Sequence, residues 1–208
     1  MIAKPLAALL ALATLAGCSV YREATGHTLM TSPNWRQVAT EADRDRLRRW
    51  RKAWDEALPA ARSADPGAIA AGAALFDPDR SLPRAAIPAG AYRCRTVKLG
   101  AQGSGNRAYT PYPWFDCRVA DEGEVRSFHK LTGSQRPTGL LFTDTDTRLV
   151  FLGTLVLGDE TAPLRYGIDR QRDMAGYVDR IGPKRWRLVF PYPSFESILD
   201  VTEIVPAT

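Results

Sequence analysis

"RLVFLGTLVL", residues 148–157, is apolar on both faces that a strand would present. Such a strand is covered from two sides, so the run predicts a central strand with a helix over its outer face. Turn residues bracket it: Asp144-Thr145-Asp146 before, Gly158-Asp159-Glu160 after. Outward from there, comparable short runs recur at about ten-residue intervals. They occupy 91–99, 113–120, 124–131, 139–143, 173–181, 184–191 and 198–205, with further turns at Asp121-Glu122-Gly123 and Gly182-Pro183. Regular short strands with tight turns predict an antiparallel sandwich or barrel, and the reading adopted is a mainly β (α+β) fold. It is an antiparallel barrel of about eight strands over 90–206, lipocalin-like in architecture. In 124–131, Arg126, Phe128 and Lys130 share one face, while Val125, Ser127, His129 and Leu131 share the other. That alternation does not choose which face points inward.

Upstream, Thr40-Glu41-Ala42-Asp43 has the form of a capping box, in which the hydroxyl satisfies a free amide of the first helical turn. Leu47, Trp50, Trp54, Ala57 and Leu58 then fall on one helical face, and the helix is expected to stop near Pro59. Asp65-Pro66 starts a second helix, with Asp as cap and Pro at the first helical position, ending before Asp77-Pro78. This helical pair (41–76) either packs on the barrel or lays its tryptophan stripe on a membrane surface. Residues 77–89 hold three prolines and no periodicity, and read as a connector.

The first residues form an address. Met1 to Lys4 is a short positive start, and Pro5 to Ala16 is an apolar run. It is shorter than the roughly 20 residues a spanning helix needs, so it reads as a secretory signal. Leu15-Ala16-Gly17-Cys18 resembles the lipobox of bacterial lipoproteins. That resemblance implies cleavage before Cys18 and acylation of its thiol, giving a signal at 1–17, a lipidated tether at 18–39 and one folded domain at 40–206. In that family an Asp after the cysteine often retains the protein in the inner membrane, so Ser19 implies the outer one, with the protein on its periplasmic face. The chain has three cysteines. With Cys18 lipidated, Cys94 and Cys117 remain as a pair in an oxidising compartment, and are expected to form a disulfide.

The formal net charge of +5 includes Lys4, which leaves with the signal. The remaining basic residues interleave with acids, which argues against a nucleic-acid partner. His27 falls in the tether, leaving His129 as the only histidine in the folded domain, and no serine sits in a nucleophile elbow. No His, Cys and acid cluster has metal-ligand spacing, and "GAQGSGNR" (100–107) lacks the Lys-Ser/Thr of a phosphate loop. Neither a metal nor a cofactor is expected. Asp169 and Asp173, and Glu196, Asp200 and Glu203, are carboxylates that either form ion pairs or do acid–base work.

Two features are candidates for binding. "KLTGSQRPTG" (130–139) joins two strands and either presents Ser134, Gln135 and Arg136 to an anionic or peptide partner or is a turn whose Arg136 pairs locally. Tyr112 and Trp114 in one aromatic cluster, with Trp186 and Phe190 in another, are candidates to line a ligand cavity.

"YRCRTVKLG", "FDCRV", "KLTGSQRPTG", "RLVFLG", "RDMAGYVDRIGPKRWRLVFPYPSFESILDVTEIVP" and the upstream "RLRRWRKAWDEAL" resemble a domain-of-unknown-function family of short exported proteins from Gram-negative bacteria. The resemblance spans roughly 40–206 and brings no catalytic residues with it. The architecture is also loosely similar to lipocalin-like proteins and to periplasmic barrel inhibitors of proteases. The leading expectation is a non-enzymatic envelope lipoprotein, held to the membrane by lipid at Cys18, that binds a small apolar ligand or an envelope protein. The alternatives are a periplasmic protease inhibitor and a carboxylate-based envelope hydrolase.

Overall fold

The computed structural model describes residues 33–207. Among the described residues five helices come first: α1 (Trp35–Val38), α2 (Glu41–Arg48), α3 (Trp50–Ala64), α4 (Pro66–Ala71) and α5 (Ala73–Phe76). Nine strands follow: β1 (Gly90–Ala101), β2 (Tyr109–Pro111), β3 (Phe115–Asp121), β4 (Arg126–Lys130), β5 (Gln135–Thr145), β6 (Arg148–Leu157), β7 (Asp173–Gly182), β8 (Arg185–Pro191) and β9 (Ser197–Pro206). They pair antiparallel in the order β2-β1-β3-β4-β5-β6-β7-β8-β9, and β9 returns to pair with β1. The result is a closed eight-stranded meander with β2 as an extra short strand.

The extra strand lies just before the expected 113–120 run, which begins as β3 only at Phe115. Cys94 is opposite Phe115, while three residues on Val97 is opposite Pro111. The ladder therefore skips Tyr112-Pro113-Trp114, where Pro113 has no amide to donate. Closure removes the free edges of the barrel proper. The lumen is filled by alternate residues, among them Tyr92, Val119, Phe128, Leu141, Phe151, Val178, Leu188 and Ile204. Phe151 stands edge-on between Phe128 and Phe190, with centroids 6.2 and 5.4 Å away. Gly139 and Gly153 pair across β5 and β6, and a methyl on either would overlap the other strand's backbone and the Phe151 ring. Cys94 and Cys117 are disulfide-bonded inside the barrel, with Cα atoms 6.1 Å apart.

β6 is buried on both faces, and its outer side is covered by a helix, as the apolar run implies. Leu47 of α2 packs there with Phe142, Val150, Leu152, Ala175 and Tyr177. Trp54, Ala57 and Ala61 of α3 pack on Val97, Leu99, Val189, Leu199 and Val201, so the tryptophan stripe faces the barrel. The chain turns at Arg49, dividing the expected first helix into α2 and α3. Pro59 does not end α3, which runs on to Ala64. Pro59 is exposed, so the carbonyl left without its amide partner faces water, while buried Ala57 and Ala61 hold the helix on either side. α1 falls within the expected tether; its Trp35 is buried and donates to Asp144 at 2.8 Å.

The connector closes one end of the barrel. Ala85 and Ile87 join the luminal cluster beside Tyr92 and Trp186. On the outside, the fully buried Arg187 donates to the carbonyls of Leu75, Asp77, Pro78 and Arg80 and pairs with Asp179 at 3.1 Å. One arginine thus satisfies a run of backbone acceptors that no regular element serves.

Candidate functional site

At the opposite end the lumen is open. A cavity of about 400 Å³ reaches inward from the mouth, within the range of small-molecule sites (about 300–1,000 Å³). Four segments surround its mouth: 112–114, 131–134, 158–172 and 192–196. Phe115, Leu155, Met174 and Phe190 supply its apolar surface, and Lys98, Lys130, Glu196 and Asp200 its charged one. Tyr112, Trp114 and Phe195 form an exposed aromatic rim.

Strand parity explains the charged wall. On β1, Lys98 shares the inward face with Cys94 and Thr96; on β9, Asp200 shares it with Thr202 and Ile204. Lys98 and Asp200 are directly opposite each other in the ladder, and their side chains pair at 3.1 Å. Glu196 reaches Lys98 at 3.4 Å and also accepts from Tyr112 and Gln135, each at 3.4 Å. Ser197 donates its hydroxyl to Asp200. Burial pushes the Asp200 carboxyl above its usual range, against the pull of Lys98 and Ser197. Burial also works against the Lys98 ammonium, but Asp200 and Glu196 outweigh it and raise that group's pKa.

Lys130 differs. Its ammonium lies 4.2 Å from the centre of the Phe115 ring, and among the described residues no carboxylate lies within 4.0 Å of it. Burial pushes its pKa down, and Lys98 and Arg136 push it further the same way. Asp173, also on the wall, accepts from the Gly167 amide at 2.8 Å through one oxygen; the other is buried without a partner. Burial pushes that carboxyl up.

The loop that carries Glu196 is held in an uncommon backbone form. Tyr192 and Glu196 have φ of +49° and +69°, a region non-glycine residues seldom occupy. Gln102 ties the loop down by donating to the carbonyls of Pro193 and Ser197 at 2.7 and 2.5 Å.

The residues singled out from sequence divide. Tyr112, Trp114 and Phe190 line the cavity together, as do Ser134 and Gln135. Trp186 does not; it sits at the plugged end, edge-on to Tyr92 at 6.1 Å. Gln135 and Arg136 belong to β5, so the β4–β5 turn is shorter than "KLTGSQRPTG" implies. The Arg136 guanidinium is occupied by the carbonyls of Gly133, Gly158 and Glu160, at 2.6–2.7 Å, and clamps two mouth loops together. Glu203 lies on the outer face, bridging Arg95 and Arg185. His129 is also directed outward, its pKa lowered by burial. Among the described residues no group of three or more His, Cys, Asp or Glu could hold a metal ion. Cys18 lies outside the described residues. Lys98 and Lys130 were missed as site residues, although each follows an inward-facing position by an even number of residues.

Fold and site together define a closed antiparallel β-barrel protein, plugged at one end by its own connector and hollow at the other. The chain belongs to the family of domains of unknown function DUF4893, whose model matches residues 35–204. No curated protein and no solved structure matches it.

Proposed function

We propose that this protein is a non-enzymatic binding module of the cell envelope, which takes a small, largely apolar molecule into the open end of its barrel. The observation that carries the reading is the cavity itself, with an apolar floor, an aromatic rim and a few fixed polar groups. A rigid cage around it supports the same reading. The barrel is closed, the Glu196 loop is tied to Gln102, and two mouth loops are clamped by Arg136. A preformed site loses little conformational freedom on binding. The test is native mass spectrometry of protein released gently from its own membranes. Wild type is expected to carry a small-molecule adduct, and Met174→Trp, which fills the floor, to lose it. A bare polypeptide mass in wild type contradicts the proposal.

The address belongs to the same proposal and is supported by the lipobox-like "LAGC" at 15–18. Acylated at Cys18, the barrel would be held on the periplasmic face of the outer membrane. Cys18→Ala is expected to move the protein from the membrane to the soluble fraction; unchanged membrane association sinks the anchor.

One observation favours a hydrolytic second reading. Asp200, its carboxyl pushed up by burial, shares the cavity with Glu196. Both acids are already engaged by Lys98, which suits a structural role better. An adduct recovered intact after long incubation supports binding, and a cleaved one supports hydrolysis.

A further inference from the structure

We propose that the molecule taken into the barrel is an anionic amphiphile, its carboxylate held by Lys130 and its apolar tail laid over Phe115, Leu155 and Phe190. This rests on reading the cavity as a ligand site, and adds the charge and the polar contact.

The inference follows from how the charges in the cavity are used. Lys98 is consumed, shared between Asp200 and Glu196. Arg46 is consumed by Asp43 and by the Asp173 carbonyl. Glu196 and Asp200 each have donors. Asp173 has a free oxygen, but it is shut away from solvent and its carboxyl is biased by burial toward the neutral form. Lys130 alone combines a cavity position with a cation that has no carboxylate within 4.0 Å among the described residues.

Its surroundings sharpen the preference. Burial, Lys98 and Arg136 all work against the charged ammonium, and only Asp200 offers a counter-pull. A ligand carboxylate beside Nζ would offset this positive field, whereas a cation would add to it. Such a charge-assisted hydrogen bond is strong and directional in a partly desolvated site. The Phe115 ring beneath the ammonium fixes the position of the side chain and begins the apolar path for the tail. Phe115, Leu155, Met174 and Phe190 offer no polar side-chain partner, so the tail is aliphatic or aromatic.

The experiment is calorimetric titration of the full mature chain with decanoate, decanol and decyltrimethylammonium. The proteins are wild type, Lys130→Met, Lys130→Gln and Lys130→Arg. Lys130 is half-buried, and Gln provides a second neutral variant should Met perturb folding. Wild type is expected to bind decanoate at least about tenfold more tightly than decanol, the ratio expected for one hydrogen bond to a charged group. Met and Gln are expected to bring the two affinities together, and Arg to keep decanoate ahead. Equal binding of decanoate and decanol by wild type, or a preference for the cation, overturns the inference. So does a decanoate preference that survives Lys130→Met and Lys130→Gln. Binding of none of the three overturns the cavity reading itself, and the inference with it.

Discussion

Lys98 Nζ lies 3.1 Å from Asp200 Oδ2, with both side chains buried on the inner face of the barrel wall. A buried pair contributes little net stability, because desolvating two charges offsets most of their attraction. Breaking one partner is another matter. Lys98→Met leaves Asp200 buried and unpaired, and is expected to destabilise the fold by about 3–5 kcal/mol. Adding Asp200→Asn removes the stranded charge and keeps an acceptor for Ser197. The double variant is expected to recover most of the loss in urea unfolding.

Asp173 gives a pH signature. Burial raises its carboxyl above the ordinary aspartate value of 3.8, and one oxygen has no hydrogen-bond partner. Below that unfolded value the group is protonated in both states, and folding bears no charge penalty. As pH rises from that value to the raised folded pKa, the unfolded chain releases its proton while the buried carboxyl keeps its own, and stability falls relative to a neutral residue. Asp173→Asn, which keeps the acceptor for the Gly167 amide, is therefore expected to melt a few degrees above wild type at neutral pH. The gap should close as the pH is lowered below the carboxylate range. A gap that widens in acid would reverse the assignment.

The Cys94–Cys117 disulfide joins two strands already paired, with a sequence separation of 23. In the chain-entropy description a loop of that length is worth about 3 kcal/mol, acting on the unfolded state. Cys94→Ala/Cys117→Ala is expected to lose about that much in denaturant unfolding.

Arg187 and Asp179 pair outside the barrel with neither exposed to water. Arg187→Met leaves Asp179 with Arg148 as its remaining cation and takes the donor from the carbonyls of Leu75, Asp77, Pro78 and Arg80, an expected cost of about 3 kcal/mol. Lys at that position should recover little of it, because an ammonium lacks the fork that reaches carboxylate and carbonyls together. Equal stability of Arg187→Lys and wild type in thermal unfolding would contradict this role.

How far the sequence speaks differs between wall and site. The strands were legible from period and turn residues, and the outer helix from the doubly apolar 148–157. Pro59 misled because a proline ends a helix only when nothing else holds it; buried Ala57 and Ala61 do. β2 was hidden because it is three residues long and ends in Pro111, upstream of the 113–120 run that reads as a strand. The aromatic part of the cavity was visible in "YTPYPWF" and "WRLVFPYPSF", but not which end of the barrel each aromatic occupies. Trp186 and Phe190 share a face, four residues apart, yet one packs at the plug and the other in the cavity. Lys98 and Lys130 escaped notice because a lysine in a strand ordinarily faces water. Parity with Cys94 and with Phe128 was the available signal. Local pairing of Arg136 was readable from its turn, but only the Gly133 carbonyl is local; those of Gly158 and Glu160 come from a loop distant in sequence.

The most direct measurement of the central claim is a crystal structure of the protein grown with decanoate. The account predicts the aliphatic chain inside the barrel against Phe190 and Leu155, with its carboxylate within hydrogen-bond distance of Lys130 Nζ. A cavity filled by water alone, with decanoate elsewhere or absent, would contradict it.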